Sequence, residues 1–165
     1  MKKLLSILSL AVLILSCSET KERISFDMVT IVNGVCYLKA DMSIVTGIVT
    51  EAYEDRLLME TNYKDGKLDG LGKAWFENGQ LELESNYKDG KTDGLSKFWF
   101  ENGQLKGEIN FKDGKEDVLK KRWDINGHLE DESNYKDGEL DGLSKTWHLN
   151  GQLQSEVNWK DGALI

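Results

Sequence analysis

The sequence has no proline, two cysteines and two histidines among its 165 residues. Cys17 and Cys36 could form at most one disulfide, which excludes a fold held together by a disulfide framework. His128 and His148 have no cysteine at the spacing of a zinc site, so we expect no metal centre. Basic residues are also scarce, with 21 Lys and Arg against 29 Asp and Glu and a net charge of −8. Nucleic acid is therefore not an expected partner.

Groups that could perform catalysis are equally scarce. Ser96 and Ser144 recur 48 residues apart, but no base or orienting group accompanies them in register. The Asp-Gly-Lys-x-Asp-Gly segments suggest calcium loops, yet Lys67 stands where an EF-hand offers an oxygen ligand, and Phe76 stands at position twelve. We therefore predict neither an enzyme nor a cofactor, and we interpret these segments as turns.

The chain is dominated by a period of 24 residues that runs from Tyr63 to its end. Each period holds an aromatic residue, Lys-Asp-Gly, a tryptophan and Asn-Gly or a close variant. The first aromatic series is Tyr63, Tyr87, Phe111, Tyr135 and Trp159, and the tryptophans are Trp75, Trp99, Trp123 and Trp147. A fixed period without insertions is typical of repeat proteins, whose units stack on their neighbours. We expect Tyr87, Phe111, Tyr135 and the four tryptophans to form the core of the array.

One repeat unit contains two strand-like segments, residues 71–76 and 80–87, each followed by a turn sequence. A two-residue Asn-Gly turn would pair Trp75 with Glu82, whereas a three-residue turn would pair Trp75 with Leu81. Burial favours the three-residue turn. The sequence therefore predicts an all-β fold, an elongated antiparallel array of β-hairpins arranged as a twisted single-sheet meander.

The same parity at the Lys88-Asp89-Gly90 turn would pair Leu83 with Leu95 and give the sheet one apolar face. That face would hold Leu71, Trp75, Leu81, Leu83 and Tyr87. It could be covered by coiling of the sheet on itself, by a second copy of the chain or by a protein partner.

The opposite face is then predicted to be polar, with an acidic stripe that includes Glu82 and Glu84. Such a stripe is either a solvated surface or an attraction for a cationic partner. Phe76, Phe98 and Phe100 would interrupt this polar face in the first two units only. Together with the two glutamates, they are our candidate contacts for a partner protein.

The first residues are built like a secretory signal, with Lys2 and Lys3 before an apolar run that is too short to span a bilayer. The stretch at residues 14–17 resembles a bacterial lipobox, which implies cleavage before Cys17 and acylation of Cys17. An ordinary secreted protein is the alternative. We divide the chain into a signal peptide (1–16), a tether (17–23), a degenerate N-terminal capping module (24–61) and the repeat array (62–165).

Residues 62–70 with Trp75, residues 78–81 and Glu84 resemble the bacterial MORN-repeat variant. Residues 37–39 and 46–47 look like the opening module of bacterial proteins labelled YwqK-family antitoxins. The resemblance implies β-hairpin arrays used for protein contact, and the antitoxin label implies neutralisation of a toxin. The third unit departs from the pattern at Val118, at residues 120–122 and at Asp124.

We therefore expect a lipid-anchored scaffold of the bacterial cell envelope, at the outer membrane or cell surface, that binds another, unidentified protein through a sheet face. Two alternatives stay open. The first is an antitoxin or immunity protein, which predicts a toxic partner. The second is an envelope structural lipoprotein, which predicts self-association.

Overall fold

The computed structural model describes residues 22–165, and the regular secondary structure in this range is nearly all β-strand. The strands are β1 (Arg23–Ser25), β2 (Val29–Val32), β3 (Val35–Leu38), β4 (Gly47–Tyr53), β5 (Arg56–Lys64), β6 (Lys67–Trp75), β7 (Leu81–Lys88), β8 (Lys91–Trp99), β9 (Leu105–Lys112), β10 (Lys115–Trp123), β11 (Leu129–Lys136), β12 (Glu139–Trp147), β13 (Leu153–Lys160) and β14 (Ala163–Leu164). One 3₁₀ turn, Phe26–Met28, lies between β1 and β2.

Twelve of these strands form one sheet in the order β1-β4-β5-β6-β7-β8-β9-β10-β11-β12-β13-β14. From β4 onward every strand pairs antiparallel with the next strand of the chain, whereas β1 pairs parallel with β4. The two ends of this order, β1 and β14, lie at opposite edges, so the sheet is open. The prediction of an all-β, single-sheet meander built from hairpin repeats is confirmed.

The Asn-Gly turns have the predicted length. Trp75 pairs with Leu81, and the Phe76 amide donates to the Gln80 carbonyl at 2.8 Å, which leaves residues 77–79 as a three-residue loop. Gly79 closes it with φ +83°, a conformation that glycine adopts without steric cost. The neighbouring pair is Ala74 with Leu83, so Glu82 is an extra residue in a β-bulge.

The Asp-Gly turns are shorter than predicted. Lys88 pairs with Lys91, and only Asp89 and Gly90 lie between them, with φ angles of +50° and +88°. Two central residues with positive φ make a type I′ turn, whose twist matches that of the flanking strands. The predicted pair of Leu83 with Leu95 is therefore wrong, and Leu83 pairs with Phe98.

The bulge at Glu82 overturns the prediction of a single apolar face. Trp75 and Ala74 are consecutive in a strand and point to opposite sides, so their partners Leu81 and Leu83 do the same. We call the side with Trp75, Lys73 and Glu84 the Trp face, and the side with Leu83, Ser85 and Tyr87 the Tyr face. The two aromatic series therefore lie on opposite faces, near opposite ends of the strands.

A second irregularity recurs where each strand leaves the Asp-Gly turn. Between the Ser85–Ser96 and Tyr87–Thr92 pairs, Asn86 stands opposite residues 93–95. The Asn86 side-chain amide donates to the Leu95 carbonyl at 2.9 Å. The equivalent bonds join Asn62 to Leu71, Asn110 to Leu119 and Asn134 to Leu143. The repeated asparagine thus satisfies a carbonyl that the irregular ladder leaves free.

The most buried apolar cluster lies in the N-terminal segment that we expect to be a capping module. It consists of Ile24, Val29, Cys36, Val45 and Val49. Two hydrogen bonds at Gly66 fix the N-terminal segment to the main sheet, both at 2.7 Å. The Gly66 carbonyl accepts from the amide of Cys36 in the β2–β3 hairpin, and the Gly66 amide donates to the carbonyl of Val45, which follows the hairpin. Burial raises the pKa of the Cys36 thiol. Cys17 and the expected signal peptide lie outside the described residues.

Candidate functional site

The Trp face carries a row of alternating charges across the sheet. In the centre of this row, Glu84 stands between Lys73 and Lys97 as their direct cross-strand neighbour. Four ion pairs of 2.9 to 3.2 Å repeat along the row: Lys73–Glu84, Lys97–Glu108, Lys121–Glu132 and Lys145–Glu156. At its N-terminal end, Glu60 pairs with Lys73 in the sheet register and with Arg23 at 2.7 Å. We call this row the ion ladder.

The ion ladder contradicts the prediction of an acidic stripe that includes Glu84. Sequence alternation placed the glutamates on one face and the lysines on the other, but the β-bulge brings both onto the Trp face. Each interior glutamate has lysines on both sides, so the row has little net charge. Cross-strand pairs of opposite charge stabilise a sheet by about 0.2 to 1 kcal/mol each, which makes the ladder a device that holds neighbouring units in register.

Reversing one charge of the ladder tests this interpretation. Lys97→Glu places three glutamates side by side with Glu84 and Glu108, and we expect a loss of about 1 to 2 kcal/mol in the free energy of unfolding. The loss should shrink at high salt because partly exposed charges are screened. Lys91→Glu on the same strand is the matched control, since Lys91 faces Lys88 and reversal there removes a repulsion. Equal urea-unfolding midpoints for the two variants would contradict the ladder.

The Tyr face carries a row of small polar side chains at the centre of the strands. Ser85 and Ser96 are buried and hydrogen-bonded to each other at 2.7 Å. The tyrosines lie beside this row. A Cβ atom added to Gly72 would stand 2.8 Å from the ring of Tyr87, so the ring lies directly over the glycine. The close approach of ring and backbone buries part of each aromatic without a second layer of structure.

Next to the serine row, a second cross-strand row of side chains on the Tyr face changes from apolar to polar along the sheet. It is apolar from β5 to β8, where cross-strand pairs join Met59 to Ala74, Ala74 to Leu83 and Leu83 to Phe98. It then passes Gly107 and becomes polar. The remaining pairs are Arg122 with Asp131, Asp131 with Thr146 and Thr146 with Ser155. We call the segment Met59–Ala74–Leu83–Phe98 the apolar row.

The five partner-contact residues that the sequence predicts do not lie on one face of the sheet. Phe98 lies on the Tyr face in the apolar row, whereas Glu84 lies on the Trp face in the ion ladder. Glu82 is the exposed extra residue of the bulge. Phe100 starts the next three-residue turn, where the Lys106 ammonium lies 5.4 Å from its ring centre. Phe76 occupies the same turn position one unit earlier. The prediction that these five residues share one face is therefore wrong.

Two adjoining grooves mark the Tyr face where the apolar row ends. The smaller, about 250 Å³, is lined by Phe98, Lys106, Gly107, Ile109, Lys120 and Arg122. The larger, about 420 Å³, shares Lys120 and Arg122 and continues over β11 to β13. Sequence reasoning singled out residues 120–122 as a departure from the repeat but assigned them no role. Their position in the middle of a strand could have indicated a local site. The equivalent residues of the other units are small or apolar, except for the lysine of the ion ladder.

The turn of the third unit is closed by a different set of side chains. Asp124 replaces the phenylalanine of earlier units, and its Oδ1 accepts from the amides of Asn126 and His128 at 2.8 and 2.9 Å. Its Oδ2 lies 3.0 Å from His128 Nδ1. The hydrogen bonds from the His128 ring and amide lower the pKa of Asp124 to about 2.

The lowered pKa of Asp124 makes this turn sensitive to acid. Its carboxyl has a pKa near 3.8 when unperturbed, so its contribution to stability is complete above about pH 4 and is lost as the pH falls toward 2. We expect the stability difference between the natural chain and Asp124→Asn to narrow over that range. Urea unfolding at pH 5, 3.5 and 2.5 measures it, and a difference that does not change with pH would contradict the assignment.

In the stretch from residue 22 to residue 165, no group of three or more His, Cys, Asp and Glu side chains is arranged to hold a metal ion. The aspartates of the Asp-Gly segments bond to the turns instead. Asp93 accepts from Lys112 Nζ and from the Asp113 amide, both at 3.2 Å, and Asp141 contacts Lys160 at 2.7 Å. The described residues also hold no helix with the length and apolar character of a membrane span.

Residues 68–89, 92–113 and 140–161 match the family model described as MORN repeat variant. Three units of the sheet are therefore similar to MORN repeats. Each match begins in one strand, crosses the three-residue turn and ends at the next Asp-Gly turn. The third unit, with Val118 and Asp124, lies between the matched segments. A search of the curated proteins finds no match to the chain.

MORN repeats are in general repeat modules that serve in binding, which is consistent with a scaffold without catalytic activity. The MORN-like units here supply an open sheet with two distinct faces. The ion ladder occupies one face with groups that satisfy each other. The Tyr face holds the apolar row and both grooves, so it is the better candidate for binding.

Proposed function

We propose that the chain is a non-enzymatic scaffold that binds another protein through its Tyr face. The observation that supports this most directly is the apolar row, which crosses four strands without a charged residue. The side chains of the row are partly exposed, and Phe98 also lines the smaller groove at its end. Contiguous apolar patches at the surface mark interaction sites on soluble proteins.

The composition around the apolar row suits a protein contact. Phe98, Phe100 and Arg122 belong to residue types that are enriched at protein interfaces relative to the rest of the surface. Lys106 lies between the two phenylalanines and lines the groove beside Phe98. A partner that inserts an apolar side chain at Gly107 would bury Phe98 and leave Lys106 and Arg122 at the rim, an arrangement typical of specific interfaces.

The anchor forms the second part of the proposal. Cys17, acylated after removal of residues 1–16, would hold the scaffold at a membrane of the bacterial envelope through the short segment 17–23. The motif at residues 14–17 supports this proposal. Metabolic labelling of the expressed chain with an alkyne fatty acid, compared with Cys17→Ser, tests it. Label that persists in the variant would contradict lipidation at this cysteine.

Affinity capture from membranes of the native host tests the binding function. We expect one protein to copurify with the full chain, to bind it as a purified component, and to be lost with Phe98→Ser. Leu143→Ser is the matched control, because it removes a partly exposed leucine from the Trp face. Binding retained by Phe98→Ser and lost with Leu143→Ser would overturn the assignment of faces.

The same experiment separates the two alternatives. A captured protein that is toxic when expressed alone, and harmless with the chain, would identify an antitoxin. Capture of only further copies of the chain, with oligomers in sedimentation of the purified protein, would identify a self-associating envelope protein instead.

A further inference from the structure

The larger groove on the Tyr face has features of a ligand site of its own. It is an open groove of about 420 Å³ over β10 to β13, and it lies where the neighbouring row has become polar. Its floor and walls include Tyr135, Leu140, Ser144 and Trp159. Sites for small molecules are concave and combine apolar or aromatic walls with a few placed polar groups. This groove has that combination, whereas the apolar row next to it does not.

Two polar atoms of the groove have unused hydrogen-bonding capacity. Among the described residues, the buried side-chain atoms without a partner are Ser144 Oγ and Trp159 Nε1, and both residues line this groove. Ser144 is only 7 % exposed. Buried polar groups are nearly always paired, and an unpaired one costs about 1 to 3 kcal/mol. Two such atoms in one groove therefore point to a ligand that completes them. Neither atom is accessible in the structure, so such a ligand must shift the Trp159 side chain to reach them.

The repeat supplies an internal comparison for this observation. Ser133 and Ser144 are cross-strand neighbours at the positions that Ser85 and Ser96 occupy two units earlier. The earlier pair is closed by a hydrogen bond of 2.7 Å, yet Ser144 Oγ has no partner. The open hydroxyl is therefore a local property of this groove and not of the repeat.

The charges of the groove are already neutralised. Lys120 Nζ contacts Glu116 at 2.9 Å and lies 5.6 Å from the centre of the Tyr135 ring. Arg122 is hydrogen-bonded to Asp131. A charged ligand would have to break one of these pairs, whereas a neutral ligand would not. The indole N–H is a donor only, so the ligand must offer an oxygen acceptor.

The aromatic walls define the rest of the ligand. Tyr135 and Trp159 occupy the same repeat position on β11 and β13, about 10 Å apart across two strand spacings, and Leu140 pairs with Tyr135 between them. Ring faces carry partial negative charge and attract the C–H groups of an apolar ligand surface. A molecule with hydroxyl oxygens at its edge and C–H groups on its face matches both requirements.

We propose that this groove binds a neutral oligosaccharide, with Tyr135 and Trp159 as stacking surfaces and with Ser144 Oγ and Trp159 Nε1 as hydrogen-bonding groups. The stacking and hydrogen-bonding residues of this site lie on β11 to β13 and outside the apolar row, so the site does not depend on the proposed protein partner, although the two surfaces share Arg122 at their boundary. Either proposal can fail without the other.

The indole N–H signals of the full-length chain in a sugar-free detergent provide the test. Maltotriose, cellotriose and the trimer of N-acetylglucosamine are titrated separately to about 10 mM, a concentration that fills about nine-tenths of a site with a Kd near 1 mM. We expect one of them to shift the Trp159 signal, identified by its absence in Trp159→Phe, with saturation. The signals of Trp75 and Trp99 on the other face should not move.

Variants then distinguish the groove from unspecific contact. The affinities of the variants are measured by NMR observation of the sugar, because Trp159→Phe has no Trp159 signal to follow. Ser144→Ala and Trp159→Phe should each weaken binding about five- to tenfold, since each removes one hydrogen bond and keeps the aromatic wall. Ser96→Ala is the control, because its hydroxyl is already paired, and it should leave the affinity unchanged. The proposal is overturned if no trisaccharide shifts the Trp159 signal, if sodium acetate alone does so, or if all three variants bind equally.

Discussion

Replacing Gly94 by valine is expected to destabilise the array by about 2 to 3 kcal/mol, because left-handed backbone costs an L-residue about 1 to 2 kcal/mol and a β-branched residue more. Gly94 has φ +108°, and an added Cβ would stand 3.4 Å from Cβ of Asn86. Asn86 also holds the Leu95 carbonyl. The valine would therefore strain the backbone and press on the side chain that closes the irregular ladder.

In the third unit a valine already occupies this glycine position, so the reverse substitution can be tested there. Val118 occupies the equivalent position with φ +68° and is 61 % exposed, so it is strained and has little packing to offset the strain. Val118→Gly should stabilise the protein by about 1 kcal/mol, less than the full strain because glycine gains entropy in the unfolded chain. Thermal unfolding should give a lower melting temperature for Gly94→Val and a higher one for Val118→Gly. A shift in the same direction for both variants would contradict the conclusion that this repeat position requires glycine.

The strands and their order were predictable because the turn residues repeat with the strands. Asn-Gly and Asp-Gly, separated by alternating segments, define hairpins almost independently of what surrounds them. The length of the Asn-Gly turn followed from the need to pair Trp75 with Leu81. Asp-Gly is also a typical sequence of two-residue type I′ turns, so this turn type could have been predicted from the same residues. The prediction failed because the three-residue length of the Asn-Gly turn was assumed for the Asp-Gly turn as well.

The two faces were not predictable from alternation, because a β-bulge reverses alternation within a strand. Glu82 reads as an ordinary outward residue, yet it is the extra one, and every side chain after it changes face. A shift of one residue exchanges the two sides of a strand. One signal could have revealed it: the unbulged three-residue turn would have placed Lys73 opposite Leu83, whereas the observed register pairs Lys73 with Glu84 and repeats this opposite-charge pair in every unit.

The grooves could not be predicted from single residues. They form where the cross-strand rows on the Tyr face have different side chains from one repeat unit to the next. Lys120 and Arg122 appear in the sequence as a basic interruption, without indication that they share a face with Phe98 and Tyr135. The unpaired hydroxyl of Ser144 could be predicted even less from the sequence. It differs from Ser96 only in the contacts that neighbouring strands provide.

The tryptophan row gives the second large expected effect. The predicted aromatic core is wrong in one respect, because the tryptophans and the tyrosine series lie half-buried on opposite faces and the most buried cluster is N-terminal. Trp99 lies half-buried on the Trp face and pairs with Leu105 beside the bulge. A tryptophan buries about 150 to 250 Å² when enclosed, and half of that at about 25 cal/mol per Å² corresponds to about 2 to 3 kcal/mol. We expect Trp99→Ala to lower the stability by this amount, measured by urea unfolding.

Phe100→Ala is the control for Trp99→Ala, because Phe100 lies next in the chain at the start of the turn. The Lys106 ammonium over its ring is worth about 0.5 to 1 kcal/mol at an exposed site, so the loss of stability should be smaller than for Trp99. Because neighbouring units stabilise each other in repeat arrays, hydrogen exchange in Trp99→Ala should quicken first in β8 and β9 and less in β12 and β13. Equal melting temperatures for the two variants, or uniform exchange along the sheet, would contradict a structural role for the tryptophan row.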